Sequence, residues 1–361
     1  MSGRRRLGYL LIGLLVVSAG VWVAVRSAVP NDLLPVRVEL ASRSVSKLPF
    51  VIAMDQGLYE KYGLDIQLRM PSADFEGGIA APNTLTRWAE FVAIRLGARS
   101  WRPEISVDGA TPQIFNMVTD VGARQQIFLA ATDCVVRAHI VGRKGIERLE
   151  DLKGKRLGVT SGIHTTTGFV ALLLAERMGW DPVQDISIMR HGTSIDALRD
   201  GRVDALVASE RTYAAALQEG FPVLAATSMW GELPIAGNSV KVAPAWLEDR
   251  THREVARRFL QATVEGIALF HQNRELALEV LAKWHGITDQ AYAETVYEGG
   301  RWIPRKPYPC YEGIEKTMER YDSNAMRGYT PEDFYEDSLI RELDESGFID
   351  SLYTTVDSRS P

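Results

Sequence analysis

Apolar and polar positions alternate in short runs that are repeatedly followed by helical stripes. Residues 36–40 read VRVEL, apolar at Val36, Val38 and Leu40, which predicts a strand. A helix is expected from about Pro49 through FVIAMDQGLYEKYG, ended by Gly63, with LDIQLRM as the next strand. A strand, a helix and a second strand in that order imply parallel pairing with a helical crossover. The pattern returns at RLGVT (156–160), followed by the helix FVALLLAERMG, in which Ala171, Leu174, Ala175 and Met178 fall on one face. ISIMR (186–190), a helix around Ser194–Arg199, VDALVAS (203–209) and PVLAAT (222–227) complete a compact α/β unit. Residues 251–284 read as almost wholly helical, with Val255, Phe259, Ala262, Leu269 and Phe270 on one stripe. A further helix is expected around Thr84–Leu96. The stretch Glu332–Asp350 holds eight acids and one arginine and reads mainly as a solvated helical face. The sequence shows no internal repeat.

The first thirty residues differ from the rest. Leu7–Val25 is an uncharged run behind Arg4, Arg5 and Arg6. As a helix it spans roughly 28 Å, close to a hydrocarbon core of about 30 Å. Positive charge stays on the cytoplasmic side, so the remainder is expected outside the cytoplasm. The run is either a retained anchor or a cleaved signal peptide, and its length leans towards retention.

Composition narrows the class. With 361 residues, 46% hydrophobic and 24% charged, the chain suits two globular lobes. Net charge is −5, and residues 1–30 carry four arginines and no acid, leaving −9 on the remainder. A body that acidic argues against nucleic-acid binding. Cys134 and Cys310, the chain's two cysteines, either form one bridge or remain two buried thiols. No GxSxG, HExxH, paired-cysteine or P-loop motif occurs, and the six histidines show no metal-ligand spacing. No catalysis, metal or cofactor is expected.

Three stretches carry a resemblance: LPFVIAMDQGLYEKYGLDIQL (48–68), IERLEDLKGKRLGVTSGIHTTTGFVALLLAERMGWD (146–181) and IDALRDGRVDALVASERTY (195–213). In their order and spacing the chain resembles the solute-binding proteins of ABC importers for nitrate, sulfonates, taurine and thiamine precursors. It departs from that family at residues 71–107. The resemblance implies an α/β two-lobed clamp, each lobe an open, mostly parallel sheet flanked by helices. Lobe one would comprise 36–138 and 236–350, and lobe two 139–235, behind the terminal segment 1–30. It also implies a monomer that holds a small-molecule solute and docks on ABC permease subunits of the inner membrane. A membrane-tethered sensor is the alternative, and an enzyme like the thiamine-pyrimidine synthases a remoter one.

Ligands of open parallel sheets sit beyond the carboxyl ends of the strands. That rule selects Ser46, Lys47 and Phe50 after the first strand, and Gly109, Ala110 and Thr111 in GATP. It also selects the loop from Thr160 to Thr167, with Ser161, Gly162, His164, Thr165 and Thr166, whose free amides at a helix start suit an anion. Ser209, Glu210 and Tyr213 follow VDALVAS, and Trp230 and Asn238 lie near the return crossing. An acid beside an anion-friendly helix start suits an amphoteric solute or a neutral heterocycle.

Overall fold

The computed structural model describes residues 33–71, 102–119, 125–160, 162–190 and 194–354. The terminal apolar run, the helix expected around Thr84–Leu96 and Ser161 lie outside them. Among the described residues no helix is long and apolar enough to cross a membrane.

Among the described residues, ten strands form two five-stranded sheets. Sheet one holds β1 (Leu34–Leu40), β2 (Leu64–Arg69), β3 (Ile105–Gly109), β4 (Ile127–Ala131) and β10 (Asn238–Val242), in the order β2-β1-β3-β10-β4. Sheet two holds β5 (His139–Gly142), β6 (Arg156–Val159), β7 (Ser187–Arg190), β8 (Ala205–Ala208) and β9 (Val223–Ala225), in the order β7-β6-β8-β5-β9. In each, three parallel strands are joined on one side by an antiparallel strand, β10 or β5, that has crossed from the other half. The topology therefore repeats, although the sequence does not.

Helices of eight residues or more are α1 (Leu48–Asp55), α2 (Ala110–Thr119), α3 (Thr166–Met178), α4 (Glu210–Gln218), α5 (Arg250–Gln272), α6 (Arg274–His285), α7 (Gln290–Glu298), α8 (Tyr311–Arg320) and α9 (Ser338–Glu345). The expected helix to Gly63 is broken after α1, because Gly57 takes φ 64° and starts a separate turn at Leu58–Lys61. The long helix of residues 251–284 is two, because Asn273 leaves helical geometry and its side chain accepts from Leu276 N, capping α6. The acidic stretch after Glu332 is not merely solvated. Leu339, Ile340, Leu343 and Ile349 are buried in the sheet-one core with Phe259 of α5, and Asp337 and Asp344 accept hydrogen bonds from Tyr311 and Tyr308 at 2.6 and 2.9 Å.

Two segments cross between the sheets and lie side by side. Thr132 N donates to Asn238 O, Ile235 N to Cys134 O and Val136 N to Leu233 O, at 2.9, 3.0 and 2.8 Å. Cys134 on the first crossing is bridged to Cys310 at the start of α8, Cα–Cα 5.1 Å across 176 residues of chain. This settles the alternative left open by the sequence. The bridge ties the crossing to the helical part behind sheet one.

Candidate functional site

The carboxyl ends of β1, β3, β6 and β8 open towards one another across a cavity of about 730 Å3. From the sheet-one side it is lined by Ser42, Ser44, Ser46, Asp108, Gly109 and, on α2, Phe115 and Asn116. Sheet two contributes Thr160, His164, Thr165, Thr166, Thr167, Arg190, Ser209, Glu210 and Arg211. The crossings add Asp133, Arg137 and Asn238, and Trp302 reaches in from the helical part.

Most hydroxyls of the threonine-rich loop hold the loop itself. Thr165 caps α3, accepting from Gly168 N at 3.1 Å and donating to Gly162 O at 2.7 Å. Thr167 Oγ1 accepts from Thr160 N at 3.0 Å and bonds Thr160 Oγ1 at 3.1 Å. The number of hydroxyls thus marks a self-bonded turn more than a set of ligand contacts. Gly162 does not line the cavity. It takes φ 114°, where a side chain is strained, and packs beside the Arg190 side chain. The helix start presented to the cavity is Thr165–Thr167.

Other expectations are corrected by packing. Phe50 is buried in the core, its ring stacked on Phe259 at 6.1 Å. The helical spacing that buries α1 turns it away from the cavity. Ala110 and Thr111 are buried, with Thr111 Oγ1 donating to Ala236 O at 2.8 Å and so holding α2 on the return crossing. Tyr213 stacks on His139 at 3.6 Å, one turn into α4 and away from the cavity. Trp230 is buried and donates Nε1–H to Ala138 O at 2.7 Å. Lys47 lies behind the wall, not in it: it is 1% exposed, and its ammonium donates to Ser42 Oγ.

Ser46, Gly109, His164, Thr165, Thr166, Ser209, Glu210 and Asn238 do face the cavity. His164 of sheet two stacks on Phe115 of α2, ring centroids 3.7 Å apart, and meets Tyr321 edge-on at 5.5 Å. Tyr321 O–H donates to Ile163 O at 2.6 Å, so the two halves touch through this aromatic group. Burial lowers the His164 pKa. They also touch at Gly109, where a Cβ would lie 2.8 Å from Thr166 Oγ1.

The cavity's charge was not legible in any motif. Arg43, Arg137, Arg190 and Arg211 line it, against Asp108, Asp133 and Glu210. Burial pushes the Glu210 carboxyl up to about 8, and nearby Asp133 adds to the rise. Burial likewise pushes Asp133 up to about 7, opposed by Arg137, Lys47 and a hydrogen bond from Asn238. At neutral pH one of the three acids is largely protonated and a second partly so, while the guanidiniums remain charged. The wall is therefore net cationic among the described residues. Arg190 ends β7, where the strand-end rule could have found it; Asp133 and Arg137 sit on a crossing, which that rule does not cover.

Residues 135–277 match the family model described as NMT1/THI5 like. That span contains sheet two, the return crossing and α5. No curated protein matches the sequence. Among solved structures, the periplasmic nitrate-binding protein NrtA from Synechocystis PCC 6803 is 13% identical at a TM-score of 0.67, covering 87% of this chain and 89% of its own. The periplasmic aliphatic sulphonate binding protein SsuA from Escherichia coli is 18% identical at a TM-score of 0.57, covering 80% and 90%. The desulfurization enzyme DszB also shares the fold, 12% identical at a TM-score of 0.56, covering 85% and 98%. The architecture is thus that of periplasmic binding proteins.

Proposed function

We propose that the chain is an extracytoplasmic receptor that captures a small organic anion between its two halves and delivers it to an ABC-type importer. One observation carries the reading: a cavity walled by both sheets, with Arg137 and Arg190, the start of α3 and free-standing Ser209 all offering donors to one volume. Ser209 precedes α4 and makes no side-chain cap bond, which leaves its hydroxyl for a ligand. Fixed donors on both sides favour a group that bridges them, so ligand binding and closure are one event. The NMT1/THI5-like match and the binding proteins that share the fold support this reading. Both cysteines are joined to each other, so no free thiol is on offer for covalent chemistry.

Residues 36–138 with 236–350, and 139–235, act as the two lobes of the clamp. The uncharged run Leu7–Val25 behind three arginines supports export, with that run tethering the chain to the inner membrane. The permease is the partner, and the receptor works as a monomer. The test is a thermal-shift screen of the full chain against anionic, cationic and neutral solutes. A ligand that binds only the folded form raises the midpoint. Shifts confined to anions are expected; shifts confined to cations, or none across the panel, would overturn the reading.

A further inference from the structure

Behind the sheet-one wall of the cavity, a buried amine is connected to the wall through side-chain oxygens. Lys47 Nζ donates to Ser42 Oγ. Ser42 Oγ donates to Ser44 Oγ at 3.4 Å, and Ser44 and Ser46 share a hydrogen bond of 2.9 Å. From the other side Asn238 Nδ2 donates to Ser46 Oγ at 2.7 Å. The Asn238 amide also bonds the Asp133 carboxyl, which suits its nitrogen facing that way. Ser42, Ser44, Ser46 and Asn238 all line the cavity, whereas Lys47 does not.

The Lys47 end sets a starting direction for this chain. An ammonium can only donate, so Ser42 uses a lone pair on Lys47, and the bond geometry points its own hydrogen at Ser44. Either oxygen can donate in the Ser44–Ser46 bond, and the arrangement that continues the chain has Ser44 donating to Ser46. In that arrangement Ser46 receives from both Ser44 and Asn238, its two lone pairs are used, and its own hydrogen is left for the cavity. We propose that Lys47 is a positioning residue that, acting through Ser42 and Ser44, fixes Ser46 as an outward-pointing hydrogen-bond donor. This rests on the solute-capture reading and refines it. A hydroxyl held as a donor accepts an acceptor-only group, such as a sulfonate or carboxylate oxygen, and turns away an ammonium. A hydroxyl free to rotate would take either. Burial lowers the Lys47 pKa to about 8, so the amine remains mainly charged at pH 6.

The first test needs no ligand. In a neutron structure of the deuterated full chain at pH 6, Lys47 Nζ carries three deuterons and the Ser46 deuteron points into the cavity. A Ser46 deuteron aimed at Ser44, or a two-deuteron Lys47 that accepts from Ser42, overturns the proposal. The second is calorimetry with ethanesulfonate on the wild type, Lys47→Met, Ser46→Ala and the double variant, with thermal midpoints confirming that each is folded. Each single change weakens binding about tenfold, and the double no more than Ser46→Ala alone, because Lys47 acts through Ser46. Additive losses would show that Lys47 acts by its charge alone. Ser42→Ala interrupts the chain while keeping the amine, and serves if Lys47→Met does not fold. A wild type silent to sulfonates, carboxylates and nitrate counts against solute capture, while the neutron map still decides the hydroxyl direction.

Discussion

Replacing Glu210 with glutamine tests the electrostatics of the cavity without any ligand. The carboxyl is 6% exposed, starts α4, and is approached within the cavity by Asp133 and Arg137. Burial raises its pKa from 4.5 to about 8. At about 1.4 kcal/mol per unit, that rise corresponds to roughly 5 kcal/mol as an upper bound. For the sign, the folded state holds this proton more tightly than the unfolded chain. Below about pH 4.5 both states are protonated and nothing is lost. As pH rises towards 8, the unfolded chain ionises while the folded protein cannot, so stability falls across that window. Glutamine keeps the shape and removes the titration. Glu210→Gln should therefore match the wild type near pH 4.5 and exceed it increasingly up to pH 8, by several kcal/mol. Denaturant midpoints of the full chain at half-unit pH steps read the difference. Asp133 titrates in the same direction in both proteins, so only the difference curve counts. Parallel curves from pH 5 to 8 would show that Glu210 is ionised and solvated in the folded protein, and would cut the cationic excess of the cavity wall by one charge.

Further outcomes follow from other contacts. Gly109→Ala places a methyl 2.8 Å from Thr166 Oγ1, and overpacking of this kind costs roughly 1–3 kcal/mol, charged here to the closed form. Small-angle scattering should show a larger radius of gyration than the wild type, and an unchanged radius would rule out Gly109 as a closure contact. Loss of the bridge in a Cys134→Ala/Cys310→Ala variant should lower stability by roughly 2–5 kcal/mol, read as a drop in thermal midpoint. Asp204 is buried and bonded to Arg156 at 3.0 Å and Arg143 at 3.0 Å, and the Arg156 bond holds its pKa below the ordinary carboxylate range. Its stabilisation is present above that range and lost as pH falls through the depressed value. Asp204→Asn should accordingly cost roughly 1–3 kcal/mol at pH 7, discounted because both guanidiniums are partly solvated, and the gap should shrink in acid.

The strands and helices that alternate most regularly were legible, because burying one face of an element leaves a period in the chain. β1, β2, β6, β8 and α3 fall where the pattern places them. β4, β5 and β10 did not announce themselves. They are short, apolar or mixed, and buried on both faces, so no alternation survives. Within the candidate site, the strand-end rule located the loops but could not assign side chains. One residue of helical or turn geometry separates Ser46, which faces the cavity, from Lys47, which lies behind it.

What the chain alone determined was the local grammar: which runs become strand or helix, the α/β class, the break of composition after residue 30, and the loops that end at strand tips. Those depend on neighbours a few residues apart. The cavity's cationic character, the pairing of Cys134 with Cys310 and the meeting of the serine chain with Asn238 were decided by the tertiary structure. Each needs groups from positions as distant as Ser42, Asp133, Arg190 and Asn238 to meet, and burial there changes which of them hold a proton. Nothing in the order of residues encodes that dielectric environment until both sheets have closed around it.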